Sequence, residues 1–103
     1  GFDRSAPALH RLTTEVTQNR RPLGRRIDDT ATRYELTVRA VWTLTPVSGA
    51  NPPLTGTETV TVTYAAADQP YAAIAAQQDG EERAAAELAR LIRLDVMQAL
   101  AAR

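Results

Sequence analysis

The 103-residue chain contains no cysteine, which removes disulfide frameworks, thiolate metal sites and cysteine nucleophiles and leaves its redox compartment open. It contains no lysine either, so all twelve basic side chains are arginines. A single histidine, His10, supplies too few imidazoles for most zinc chemistry. No run of eighteen apolar residues marks a membrane helix, and the start lacks the apolar core of a signal peptide. There is no charge excess: twelve arginines balance twelve acids, with a sequence pI near 6.8. That balance excludes the basic footprint of a non-specific nucleic-acid binder. Phosphate-loop, dinucleotide, zinc-helix and nucleophile-elbow motifs are missing. The sequence therefore predicts no enzyme, no metal and no cofactor. His10 has no motif-borne serine or cysteine beside it to activate.

The length predicts one small domain over residues 1–103: an N-terminal remnant over 1–8, antiparallel strands over 9–69 and a helix over 70–102. The clearest strand is TRYELTVRAVWTLT, residues 32–45. Tyr34, Leu36, Val38, Ala40, Trp42 and Leu44 alternate there with Arg33, Glu35, Thr37, Arg39, Thr43 and Thr45, and only Val41 breaks the polar side. One face should therefore meet a core and the other water or a partner. Residues 55–65 repeat the pattern, with Val60, Val62 and Tyr64 set against Thr59, Thr61 and Thr63. PVSGANPPL between the two runs supplies a chain reversal, which makes an antiparallel hairpin. Residues 9–18 alternate less cleanly through Leu12, Thr14 and Val16 and form a third strand. From Pro70 onward strong helix formers dominate, and Ile74, Ala85, Leu88, Ile92, Val96 and Ala99 fall on one core-facing stripe. The expected fold is α+β, with three long antiparallel strands in the order β-β-β-α and one long C-terminal helix on one face.

Asp79, Arg83, Glu87 and Arg90 describe a solvated helix face with ion pairing. Gly80 marks a bend or a close backbone approach. Asp28-Asp29 and Glu81-Glu82 serve a turn and a helix dipole, and Asp68 is an N-cap candidate. Leu94 and Met97 project from the polar side of the helix near its end and are candidate partner contacts. The sharpest local charge is RRPLGRR, residues 20–26, with four arginines in seven positions. Pro22, Leu23 and Gly24 read as turn residues that splay two arginine pairs about a loop tip. Such a loop either grips an anion or is a solvent-exposed connection partly neutralised by Asp28 and Asp29.

From Thr30 to Leu100 the chain resembles the LPS-assembly lipoprotein family LptE, in its alphaproteobacterial form. The resemblance is carried by Thr32-Arg33-Tyr34, Leu54-Thr55-Gly56, Tyr64, Pro70-Tyr71-Ala72 and Glu82-Arg83 in that order, and HRLTTEVTQNRRPLGRRIDD fits the family's preceding strand. It spans about residues 8–102. The family's lipidated cysteine, first strand and first helix have no counterpart in this sequence, although Gly1-Phe2 is similar to the dipeptide after that cysteine. The resemblance implies a non-catalytic component at the periplasmic face of the outer membrane. Such a component braces an LptD-type β-barrel, assists lipopolysaccharide transport and meets the membrane only through a lipid anchor absent from this chain. It also gives Arg20, Arg21, Arg25 and Arg26 a target in the lipid A phosphates, which arginine holds through paired donors. An auxiliary lipoprotein domain of another envelope transporter, binding a protein partner only, is the alternative. Since one helix covers roughly two strands, three strands under one helix leave apolar surface uncovered, and a homodimer would relieve that.

Overall fold

A computed structural model describes residues 9–23, 31–48, 51–67 and 69–102. Three strands precede one helix: β1 (His10–Pro22), β2 (Ala31–Pro46), β3 (Leu54–Ala67) and α1 (Pro70–Ala101). The sheet is antiparallel in the order β1-β2-β3, with β2 in the centre. This is the α+β arrangement the periodicity predicts.

The register turns the sequence alternation into two chemically distinct faces. Trp42 of β2 lies opposite Thr14 of β1 and Gly56 of β3, while Tyr34 lies opposite Pro22 and Tyr64. Leu36, Val38, Ala40, Trp42 and Leu44 are buried on the helix side, joined by Val60, Tyr64 and Ala66 of β3 and by Ala84 and Leu88 of α1. Burying a large aliphatic or aromatic side chain contributes about 1.5–3 kcal/mol, so this layer dominates the packing. The opposite face carries threonines and ion-paired charges, including a Thr37–Thr61 hydroxyl contact of 3.3 Å across the β2–β3 pair.

Pro70 occupies the first helical turn, where a missing N–H costs nothing. The N-cap is Gln69, without a side-chain cap. Asp68, the expected cap, lies outside the described residues, as do Asp28 and Asp29.

The helix face differs from the predicted stripe. Gly80, Ala84 and Leu88 are the buried helix residues, and Ala73, Ala76, Leu91 and Ile92 pack around them. Ile74 is 56% exposed and Ala85 is exposed. The line that touches the sheet is built from small residues, because Gly80 and Ala84 let the helix axis come close. The predicted stripe meets it at Leu88 and Ile92 and departs from it at Ile74 and Ala85.

Helix α1 packs on β3 and β2 and makes no comparable contact with β1. The inner face of β1 is therefore left open, with Leu12 48% and Val16 59% exposed.

Candidate functional site

The open face of β1 and the flank of α1 form a cleft with two unlike ends. At one end Leu12 and Thr14 of β1 face Ile92, Val96 and Met97 of α1 across an open cavity of about 420 Å³. This is where Ile92 and Val96 of the predicted stripe sit: they wall the cleft. Further along, Val16 of β1 faces Ala85, Leu88 and Ala89. At the other end polar side chains bridge strand to helix. Gln18 Nε2 donates to Glu81 Oε2 at 2.8 Å, and Arg20 Nη1 donates to Gln77 Oε1 at 2.8 Å.

Arg20 is held on three sides. Its guanidinium lies 4.7 Å from the Tyr34 ring centroid, within cation–π range, and Nη1 also reaches the Tyr64 hydroxyl at 3.4 Å. Tyr34 and Tyr64 are themselves stacked, with centroids 5.5 Å apart.

Arg20 and Arg21 are strand residues, in contrast to the predicted loop tip. β1 continues to Pro22, and successive strand residues face opposite sides, so the pair is divided by the sheet. Arg21 points to the polar face, where its Nε donates to Glu35 Oε1 at 3.0 Å. Arg25 and Arg26 lie outside the described residues. Leu94 and Met97 are 45% and 60% exposed; Met97 lines the apolar end of the cleft and Leu94 does not.

Two further features position the helix and escape a reading of sequence alone. Trp42 Nε1 donates to Asp95 Oδ2 at 3.1 Å, so the one buried indole N–H is satisfied from α1. Arg83 Nη2 donates to the Thr63 carbonyl of β3 at 3.1 Å while Nε holds Asp79 at 3.0 Å, which covers one backbone acceptor of an edge strand. Arg90 and Glu87 pair on the same wet face, and the hydrogen bond from Arg90 holds the Glu87 carboxyl below its ordinary range.

Among the described residues no group of three or more histidines and carboxylates could hold a metal ion, and no helix is long and apolar enough to cross a membrane. The described surfaces comprise an apolar cleft, an arginine held over an aromatic ring, and a polar sheet face that carries threonines.

A family model described as LptE, lipopolysaccharide-assembly, matches residues 3–96. The fold is also similar to the crystal structure of a candidate lipoprotein from Caulobacter crescentus CB15, with 43% identity and a TM-score of 0.75. That match covers 96% of this chain and 72% of the other. No curated protein matches.

Proposed function

The chain belongs to the LptE lipopolysaccharide-assembly family, and from that premise we propose that it works at the periplasmic face of the outer membrane as a non-catalytic component of lipopolysaccharide delivery. In this role it supports an LptD-type β-barrel. The observation that carries the reading is the family match over residues 3–96, joined to a fold whose exposed features are surfaces and not a reactive centre. Leu94 and Met97, both exposed near the end of α1, are the proposed protein contacts.

Arg20, Arg21, Arg25 and Arg26 are the proposed contacts for lipid A phosphates. The division of Arg20 from Arg21 by the sheet modifies how they would act. Arg21, whose side chain is 66% exposed, reaches solvent beside Glu35, whereas Arg20 would have to leave Tyr34 and Gln77 before meeting a phosphate. Arg21 is accordingly the stronger ligand of the two.

Affinity purification from envelope membranes tests the barrel assignment. Recovery of a large outer-membrane barrel supports it, and recovery of an inner-membrane transport complex instead refutes it. L94E/M97E should abolish that recovery while leaving the thermal transition nearly in place. Replacing all four arginines by glutamine should weaken lipopolysaccharide capture in a salt-sensitive manner, and unchanged capture would remove the phosphate assignment without touching the barrel.

A further inference from the structure

The backbone register decides which groups of β1 are left without a partner. The Leu23 N–H donates to the Arg33 carbonyl at 2.8 Å and the Val47 N–H to the Leu9 carbonyl at 3.0 Å, one bond at each end of the β1–β2 ladder. Residues facing each other in an antiparallel pair alternate between hydrogen-bonded and non-hydrogen-bonded, and the register runs without interruption between those two ends. The odd-numbered residues of β1 therefore bond to β2, and the even-numbered ones turn their N–H and C=O groups outward. Pro22 falls in the outward set, where a missing N–H costs the sheet nothing.

The two edges of the sheet are unequal. By the same alternation β3 turns the backbone of its odd-numbered residues outward, and there Arg83 covers the Thr63 carbonyl while α1 packs along the strand. Among the described residues no backbone hydrogen bond from another element reaches the outward groups of β1. Its inward side chains Leu12, Thr14 and Val16 carry no charge that would repel another strand, and all three are exposed.

Those inward positions read alike in both directions about Thr14: polar His10, apolar Leu12, Thr14, apolar Val16, polar Gln18. An antiparallel copy of β1 related by a two-fold axis at Thr14 sets Leu12 against Val16 of the second copy and His10 against its Gln18. On the outer face Arg11 comes diagonal to the second copy's Glu15, within reach of long side chains. Among the described residues neither Arg11 nor Glu15 has an ion-pair partner in its own protomer.

We propose that the free edge of β1 is a self-pairing interface, through which two copies of this chain join antiparallel about Thr14 into one continuous sheet. The proposal does not depend on the transport role.

Neighbouring registers that keep outward groups opposed are worse matched. An axis at Thr13 sets Val16 against His10, one at Glu15 opposes two carboxylates, and one at Val16 opposes Arg11 to Arg21. The axis at Thr14 also leaves room for the helices. Because α1 sits over β2 and β3, the two helix axes stand roughly 20 Å apart across the middle strands, more than the width of a helix. Between them the two apolar clefts merge over Leu12 and Val16 of both copies.

Sedimentation velocity over a dilution series should show a dimer that dissociates reversibly. The chain has no cysteine, so a single introduced thiol reports the register. Thr14→Cys should form a disulfide between copies under mild oxidation, since Cα atoms of a hydrogen-bonded antiparallel pair lie about 5.5 Å apart. Gln18→Cys should not, because its two copies stand roughly 25 Å apart. Thr14→Pro removes an outward N–H and no bond to β2, and Val16→Lys adds an inward charge at an exposed position. Each should weaken dimerisation about tenfold or more while the circular dichroism of the monomer stays parental. V16K keeps the test decisive should T14P fail to fold. A monomer at every concentration overturns the pairing, whether the edge then stays free or takes a strand from another protein. So does a dimer that T14C fails to link, that Q18C links as readily, or that V16K leaves intact.

Discussion

The Gly80 backbone of α1 rests on the Tyr64 ring of β3, so closely that a Cβ at that position would lie 3.0 Å from Tyr64 Cδ1. The ring has little room to yield, because it is stacked on Tyr34 and touched by Arg20. Gly80→Ala gains about 1 kcal/mol of helix propensity but must displace that stack, at a cost of roughly 1–3 kcal/mol. The expected outcome is a net loss of about 1 kcal/mol, read from urea unfolding; a stabilised variant would show that the stack gives way freely.

Gly56→Ala should be the more damaging of the two. Its Cβ would fall within 2.6 Å of both Trp42 and Asp95, and Trp42 is the largest fully buried side chain. No helix propensity offsets the clash in a strand. A loss of roughly 2–3 kcal/mol is expected, together with a red shift of Trp42 emission as the indole is pushed from its site. An unshifted spectrum with parental stability would contradict this account of why glycine stands there.

How much of this was legible in the sequence differs from element to element. The central strand read cleanly because both its neighbours and the helix bury one of its faces, leaving Tyr34 to Leu44 in strict alternation. β1 read poorly for a physical reason: α1 lies over β2 and β3, so the inner face of β1 drifts from the exposed Leu12 and Val16 to Gln18 and Arg20, which reach the helix through side-chain hydrogen bonds. The drift hid the end of the strand and made Arg20 and Arg21 look like loop residues. The helix and part of its sheet-facing line, Leu88 and Ile92, were legible; Gly80 and Ala84 were not, since close approach selects glycine and alanine over the aliphatics that periodicity weights. The Trp42–Asp95 contact needed the pairing register and the helix azimuth together, and neither is written in local sequence. The family resemblance, resting on the order of short segments, anticipated the match over residues 3–96.

The revised helix face predicts a sharp contrast between two aliphatic positions. Leu88 is 5% exposed and central to the core, whereas Ile74 is 56% exposed. Leu88→Ala should cost about 2–4 kcal/mol, and Ile74→Ala less than about 0.5 kcal/mol, both by denaturant unfolding. Equal costs would restore the stripe drawn through Ile74.

Arg20 and Arg21 should separate in the same way, although they are adjacent and carry the same charge. Arg20 packs its guanidinium over Tyr34 and joins β1 to α1 through Gln77, so Arg20→Ala removes stacking as well as hydrogen bonds. A loss of about 1 kcal/mol is expected. Arg21 makes one exposed contact with Glu35 on the polar face, and such surface pairs contribute about 0–1 kcal/mol. Arg21→Ala should leave the transition close to that of the parent and reduce lipopolysaccharide capture, while Arg20→Ala should do more to stability than to capture. A pair of variants equal in both measurements would mean that the sheet does not divide the two arginines into a structural and a ligand-facing residue.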